Sequence, residues 1–154
     1  VIRRDCAVII VVNKWDIVEK DSSTAGEFVK YIHYEMPFLK FAPIHFVSAL
    51  TGQRVGKLLD GIEEVYKSFT KRIKTSELND FIEEATNQHT PPVFEGQQVK
   101  VYYGSQVSEG PPTFLFYANY PDGISKSYRK YLENQLRETY DFEGTPLRLV
   151  FKER

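Results

Sequence analysis

The sequence predicts an α/β protein in which the closing part of a parallel-sheet domain is followed by a small α+β domain. Three patterns carry that prediction. Residues 7–12 (Ala-Val-Ile-Ile-Val-Val) form a continuous apolar, largely β-branched run, the mark of a strand buried on both faces of a parallel sheet. Strand-like and helix-like segments then alternate up to residue 70, as in βαβ arrays. Beyond residue 75 the order changes to helix, strand, strand, helix, strand.

Each element has its own signal. After a polar turn at 13–16, apolar Phe28, Val29, Ile32 and Met36 recur at helical spacing over 24–36, and Pro37 stops the helix. A second short strand is expected over 43–49. A long amphipathic helix follows, carrying Val55, Leu58, Leu59, Ile62, Val65, Tyr66 and Phe69 at intervals of three and four. Two strands cannot close a doubly wound sheet, so residues 1–70 read as the tail of a larger domain. Residues 71–75 form a short connector with Lys71, Arg72 and Lys74. Residues 76–154 then form the second domain. Ser76 is the expected N-cap of a helix burying Leu78, Phe81, Ile82 and Ala85. Residues 87–92 read as a loop. Alternation over 97–107 sets Val99, Val101 and Tyr103 against Lys100 and Tyr102; a Gly-Pro-Pro turn and a strand over 113–119 complete a hairpin. A helix over 125–140 buries Tyr128, Tyr131, Leu132, Leu136 and Tyr140, and a strand over 147–151 ends the chain.

Composition narrows the function classes. Twenty basic and twenty-one acidic residues give a net charge of -1, which excludes a broadly cationic nucleic-acid coat. The charges are balanced in both halves, nine against nine before residue 71 and eleven against twelve after it. Any electrostatic attraction is therefore local. No apolar run is long enough to span a bilayer, no leader pattern opens the chain, and the single cysteine, Cys6, cannot form an internal disulfide. A cytoplasmic protein without a membrane partner is expected. His33, His45 and His89 are scattered without cysteine partners, so no metal site is expected, and Cys6 has no legible base beside it.

The chemistry lies in Asn13-Lys14-Trp15-Asp16, placed where the first strand ends. Side chains at the carboxyl ends of parallel strands project into the crevice where α/β folds bind ligands. A carboxylate there accepts both the ring N–H and the exocyclic amino group of guanine, a donor pair that adenine lacks. Asn13 suits the purine edge and bracing of neighbouring loops, and the aliphatic stem of Lys14 covers the base face. Ser48-Ala49-Leu50 follows the second strand, where a small residue lets a backbone N–H approach the guanine carbonyl. The plainer alternative is a polar turn after a strand.

These two motifs resemble the fourth and fifth signature elements of Ras-like GTPases. Thr75-Ser76-Glu77-Leu78-Asn79, Pro91-Pro92, Tyr102-Tyr103 with Gln106-Val107, Pro111-Pro112-Thr113-Phe114, the run 127–134 and Phe142-Glu143-Gly144-Thr145-Pro146 resemble the carboxyl-terminal region of the Der (EngA) family. That family comprises bacterial proteins with two tandem GTPase domains and a terminal KH-like domain. The resemblance covers essentially the whole chain. It implies the carboxyl-terminal part of a P-loop GTPase domain followed by a KH-like domain. For the complete protein it implies GTP/GDP binding, GTP hydrolysis and a role in assembling the large ribosomal subunit. It implies ribosomal RNA or ribosomal protein and the first GTPase domain of the same protein as partners, and Mg2+ with ligands outside this chain. Implied base contacts are Asn13, Lys14, Trp15, Asp16, Ser48, Ala49 and Leu50.

A phosphate-binding loop is missing. Gly52-Gln53-Arg54-Val55-Gly56-Lys57-Leu58 has three residues between its glycines where four are needed, and Leu58 where a hydroxyl must meet Mg2+. It reads as the start of a helix, and Asp141-Phe142-Glu143-Gly144 as a helix-to-strand turn. No catalytic residue is assigned, and tight GTP binding or hydrolysis is not expected of these residues alone.

In the second domain the α-β-β-α-β order fits a KH-like fold, although the Gly-x-x-Gly backbone clamp of ordinary KH domains is absent. Lys126, Arg129, Lys130 and Arg137 are the candidate RNA contacts, extended by Arg148, Lys152 and Arg154. The alternative for the first four is a solvated helix face with pairs such as Arg129 and Glu133. Tyr102, Tyr103 and Tyr117 are candidates for stacking on bases, but small cores use tyrosine too, and a core position is the expectation. A different class of function, a non-enzymatic RNA- or protein-binding module with a vestigial base-binding motif, stays open on these residues.

Overall fold

The computed structural model describes residues 4–154; residues 1–3 of the first expected domain lie outside the described residues. Strand β1 (Ile10–Val12) lies parallel to β2 (Ile44–Phe46), with Ile10, Val11 and Val12 opposite Ile44, His45 and Phe46. Helix α1 (Thr24–Glu35) connects them, and a 3₁₀ turn at Pro37–Leu39 follows it because proline at its first position closes the α-helical ladder. Helix α2 (Val55–Phe69) then crosses back.

The first strand is shorter than its apolar run and is not buried on both faces. Ile10 and Val12 are half-buried and Val11 is 43% exposed. Among the described residues β1 and β2 pair only with each other, so no further strand covers their edges. Helix α2 shows the same incompleteness: Val65 is buried while Leu59, Ile62 and Tyr66 are exposed. The buried apolar residues here are Trp15, Ile32, Ala42, Val47 and Val65.

The second part holds the main core. Helix α3 (Thr75–Gln88) starts two residues earlier than expected: Leu78 N–H bonds to Lys74 O, which makes Lys74 the cap and puts Ser76 inside the first turn. A small hairpin, β3 (Val93–Phe94) with β4 (Gln97–Gln98), follows. Its turn residues Glu95 and Gly96 both have positive φ, 49° and 76°, a conformation that matches hairpin twist. Glutamate is an unusual first residue for such a turn, which is why the pattern hides it. Strand β5 (Val101–Ser108) pairs antiparallel with β6 (Thr113–Ala118), and β7 (Arg148–Glu153) lies parallel to β6 on its other side. Helix α4 (Lys126–Tyr140) is capped by Ser125, whose Oγ accepts the Tyr128 N–H at 3.2 Å.

Helices α3 and α4 cover one face of this sheet. Leu78, Phe81, Ile82 and Ala85 meet Phe114, Phe116 and Ala118 of β6 and Tyr128, Leu132 and Leu136 of α4. The three α4 tyrosines lock the helices together. Tyr128, Tyr131 and Tyr140 donate their hydroxyls to the carbonyls of His89, Ala85 and Glu77 at 2.7, 2.9 and 2.8 Å. The buried Gln106 ties down the connector: its Oε1 accepts Ile73 N–H at 2.7 Å and its Nε2 donates to Lys71 O at 2.8 Å.

The two parts are joined at the loop after α4. Val8 N–H donates to Gly144 O at 2.8 Å and Gly144 N–H to Phe41 O at 2.7 Å. Lys71 Nζ donates to the carbonyls of Tyr140 and Asp141 at 2.6 and 2.9 Å. Gly110 N–H reaches Phe69 O at 3.0 Å, and Arg148 pairs with Asp5. Among the described residues no helix is long and apolar enough to cross a membrane.

Candidate functional site

The Asn13–Asp16 turn is held by the two parallel strands running on beyond their regular pairing. Val47 N–H bonds to Val12 O at 2.9 Å and Trp15 N–H to Val47 O at 2.9 Å, so the ladder carries the turn to the sheet's carboxyl edge. Asn13 Oδ1 accepts both the Lys14 N–H at 2.8 Å and the Ala49 N–H at 3.0 Å. One side chain thereby fastens the two loops thirty-six positions apart. Lys14 has a positive φ of 59°, a strained choice for a lysine that directs the chain sharply around the turn. Ser48 is buried; its N–H bonds to Gln53 O at 3.1 Å and its Oγ accepts Thr51 N–H at 3.2 Å, shaping the second loop.

Asp16 stands between these loops, half-buried, and has no ion-pair partner among the described residues. The Ser48 hydroxyl, followed by its own backbone N–H, holds its carboxyl below the ordinary carboxylate range; burial opposes them, and Lys20 and Lys14 add to the lowering. It is therefore ionised at neutral pH, an acceptor on both oxygens. Leu50 is 90% exposed beside the loop, and Lys14 is exposed on the other side.

Trp15 occupies a different place from the other motif residues. It is 2% exposed, packed edge-on against Phe28 at 5.4 Å and against Phe46 at 4.4 Å. It anchors the turn from below and does not face the crevice. The Ala49 N–H is likewise occupied by Asn13 Oδ1. Gly52 has a positive φ of 75°, and Gly56 and Lys57 lie in the first turn of α2. Asp141 is the left-handed C-cap of α4. Among the described residues no group of three His, Cys, Asp or Glu side chains is placed to hold a metal ion.

The four cations of α4 divide. Lys126 is exposed with no carboxylate in salt-bridge range among the described residues, and Lys130 is exposed and paired with Glu133 at 3.0 Å. Arg137 turns inward. Its Nη1 donates to Phe142 O and Thr145 O at 2.9 and 2.8 Å, its Nε and Nη2 bond to Glu133, and its guanidinium lies 4.7 Å over the Phe41 ring. Burial lowers its pKa while Glu133 opposes that shift. Arg129 also turns inward, to the carbonyls of Ile124 and Pro121 and over the Phe151 ring at 4.7 Å. Arg129 is not the partner of Glu133; Lys130 and Arg137 are. Helical spacing shows that these cations share a side but not that carbonyls at both ends of α4 would recruit two of them.

Tyr102 and Tyr103 are 42% and 43% exposed, so the expected core position is wrong for both. The cause is a register shift between Val101 and Tyr103, which adds one residue to β5 relative to β6. A bulge breaks strict alternation and leaves two consecutive tyrosines outside. A groove of about 520 Å³ lies on the seam between the two parts, with Pro37, Phe38 and Phe41 on one side and Lys130, Asn134, Arg137 and Glu138 on the other; Asp16 does not line it.

Residues 72–152 match the family model for the KH-domain-like, carboxyl-terminal region of EngA bacterial GTPase enzymes. The chain is 48% identical over 146 residues to the GTPase Der of Moorella thermoacetica, which covers 95% of this chain and 33% of that protein. It is 47% identical over 148 residues to the GTPase Der of Trichlorobacter lovleyi, covering 96% of this chain and 33% of the relative, and 47% identical to that of Clostridium botulinum, covering 96% and 34%. The chain thus spans about a third of the length of the curated relatives it matches.

Proposed function

Because the chain belongs to the EngA (Der) family of bacterial GTPases, whose KH-domain-like region it carries, we propose that it works as part of a GTP-binding, GTP-hydrolysing factor in large ribosomal subunit assembly. Residues 1–70 form the closing portion of a GTPase domain and supply guanine recognition. Residues 71–75 are the connector, and residues 76–154 are a KH-like domain that contacts ribosomal RNA or ribosomal protein. The protein acts in the cytoplasm, alongside the first GTPase domain of the same polypeptide.

One observation carries the base-reading role: an ionised Asp16, without an ion-pair partner among the described residues, at the carboxyl end of a parallel strand beside the Ser48 loop that Asn13 fastens. Guanine offers two adjacent donors, and a carboxylate meets both; adenine would leave the charged acceptor unpaired at considerable cost. Asn13 sets the spacing of the loops, the Lys14 stem and Leu50 flank the base, and Ser48 orients the carboxylate. Trp15 supports the turn without touching the ligand. The phosphates and their Mg2+ belong to a phosphate-binding loop that this sequence does not contain.

The test is titration calorimetry on the full-length protein with GDP and XDP. Asp16→Asn replaces a paired acceptor with one acceptor and one donor, which matches xanthine. GDP affinity is expected to fall at least tenfold, and XDP affinity to rise. Unchanged affinities for both would leave the motif a vestige and the chain a non-enzymatic RNA- or protein-binding module. For the KH-like domain, association with ribosomal particles is expected to weaken as salt rises; a salt-insensitive association points to a protein contact.

A further inference from the structure

Among the described residues no helix or strand covers the face of the β5-β6-β7 sheet away from α3 and α4, and the composition of that face is specific. Tyr103 and Tyr117 are register partners whose rings stack at 4.7 Å with planes 25° apart. Tyr102 joins them through the bulge, with the Arg154 guanidinium 4.9 Å over its ring. Lys152 pairs in register with Tyr117 on the next strand. Neither Lys152 nor Arg154 has a carboxylate within salt-bridge distance among the described residues.

These tyrosines differ from the three that hold α3 to α4. Each of the latter donates its hydroxyl to a backbone carbonyl, whereas no protein hydrogen bond is made by the hydroxyls of Tyr102, Tyr103 or Tyr117 among the described residues. Half-exposed rings without a polar anchor, beside unpaired cations, suit a ligand with flat π faces and a negative backbone. Single-stranded nucleic acid has both: bases stack on aromatic rings irrespective of sequence, and phosphates attract the cations.

We propose that this sheet face is a stacking platform for single-stranded RNA, with Tyr103 and Tyr117 against successive bases and Lys152 and Arg154 toward the phosphates. The proposal rests on the reading that residues 76–154 contact ribosomal RNA, and it moves that contact from the basic side of α4 to the sheet. A segment of a few unpaired nucleotides fits; duplex RNA does not, since its bases are already stacked.

The experiment uses the whole chain and a 5′-fluorescein-labelled octauridylate, followed by fluorescence anisotropy at low salt. Replacing both Tyr103→Ala and Tyr117→Ala weakens binding at least about tenfold, and replacing both by Phe keeps it within about twofold, because stacking needs the ring and not the hydroxyl. Lys152→Ala lowers the slope of log affinity against log salt by about 0.7, the value for one single-strand phosphate contact. Crosslinking of wild-type protein to an octamer containing 4-thiouridine places the adduct on the peptides holding Tyr103 or Tyr117, a readout independent of how any variant folds. Unchanged binding by the double-alanine variant, with loss on replacing Lys126 and Lys130 by Ala, overturns the platform and leaves the RNA reading in place on α4. Loss in the double-phenylalanine variant overturns stacking as the mode. No octamer binding by wild-type protein overturns both the platform and the RNA role of the domain.

Discussion

Arg137 shows how one side chain can be read correctly for charge and wrongly for duty. Its guanidinium bonds two carbonyls beyond the helix, pairs with Glu133 and stacks on Phe41 of the other part. Arg137→Ala strands those acceptors and the Glu133 charge together, so a loss of about 2–4 kcal/mol is expected by urea unfolding. Arg137→Lys recovers little, because an ammonium cannot fork to both carbonyls; full recovery by lysine would show that charge alone matters. Asp21 provides the pH-dependent counterpart. Its carboxylate accepts from the N–H and hydroxyl groups of Ser23 and Thr24 at the start of α1, which lowers its pKa to about 2. A pKa lower in the folded chain than in the unfolded one adds stability above pH ~4, and that contribution fades as pH falls toward 2. Asp21→Asn, which cannot titrate, is expected to close its stability gap to wild type between pH 5 and pH 2.5. A gap that stays constant with pH removes Asp21 from the acid response.

At the scale of elements, the helices were legible and the strand details were not. Apolar residues at intervals of three and four located α1 to α4 within a residue or two, because that spacing follows from helix geometry regardless of partners. Ser125 was readable as a helix start, and its Oγ does hold the Tyr128 N–H; Ser125→Ala is expected to cost about 1 kcal/mol in urea unfolding, with a change below a few tenths sinking the capping role. Ser76 looked equally good but sits inside its helix, since what decides the cap is which carbonyl accepts the first helical bond. Alternation failed in β5 because the bulge at Tyr102 is a property of the pair of strands, and pairing leaves no trace in one strand alone. The polar turn at Asn13–Asp16 was legible from residue identities where the first strand ends, and Asn13 does fasten the two loops. The inward turn of Trp15 was not, because the aromatic pocket of Phe28 and Phe46 is assembled from distant segments.

For the whole molecule the deciding contact is the loop between α4 and β7. Gly144 has a φ of 66°, and a Cβ there would meet Val65 side-chain atoms at 2.5 and 2.8 Å and Val8 O at 3.0 Å. Gly144→Ala combines a left-handed backbone penalty with overpacking at the seam, and a destabilisation of about 2–4 kcal/mol is expected. Because the insult falls between the parts, the thermal transition should broaden or split as the two unfold apart; a single sharp transition at the wild-type temperature would mean the seam is not under strain. The same geometry has a mechanical side. Val8, whose N–H is held by Gly144 O, and Asn13, which fastens the loops at Lys14 and Ala49, flank the short strand β1, and a strand hardly stretches. The loop after α4 and the Asn13 turn are therefore tethered with little slack, so a displacement of that loop pulls on the turn.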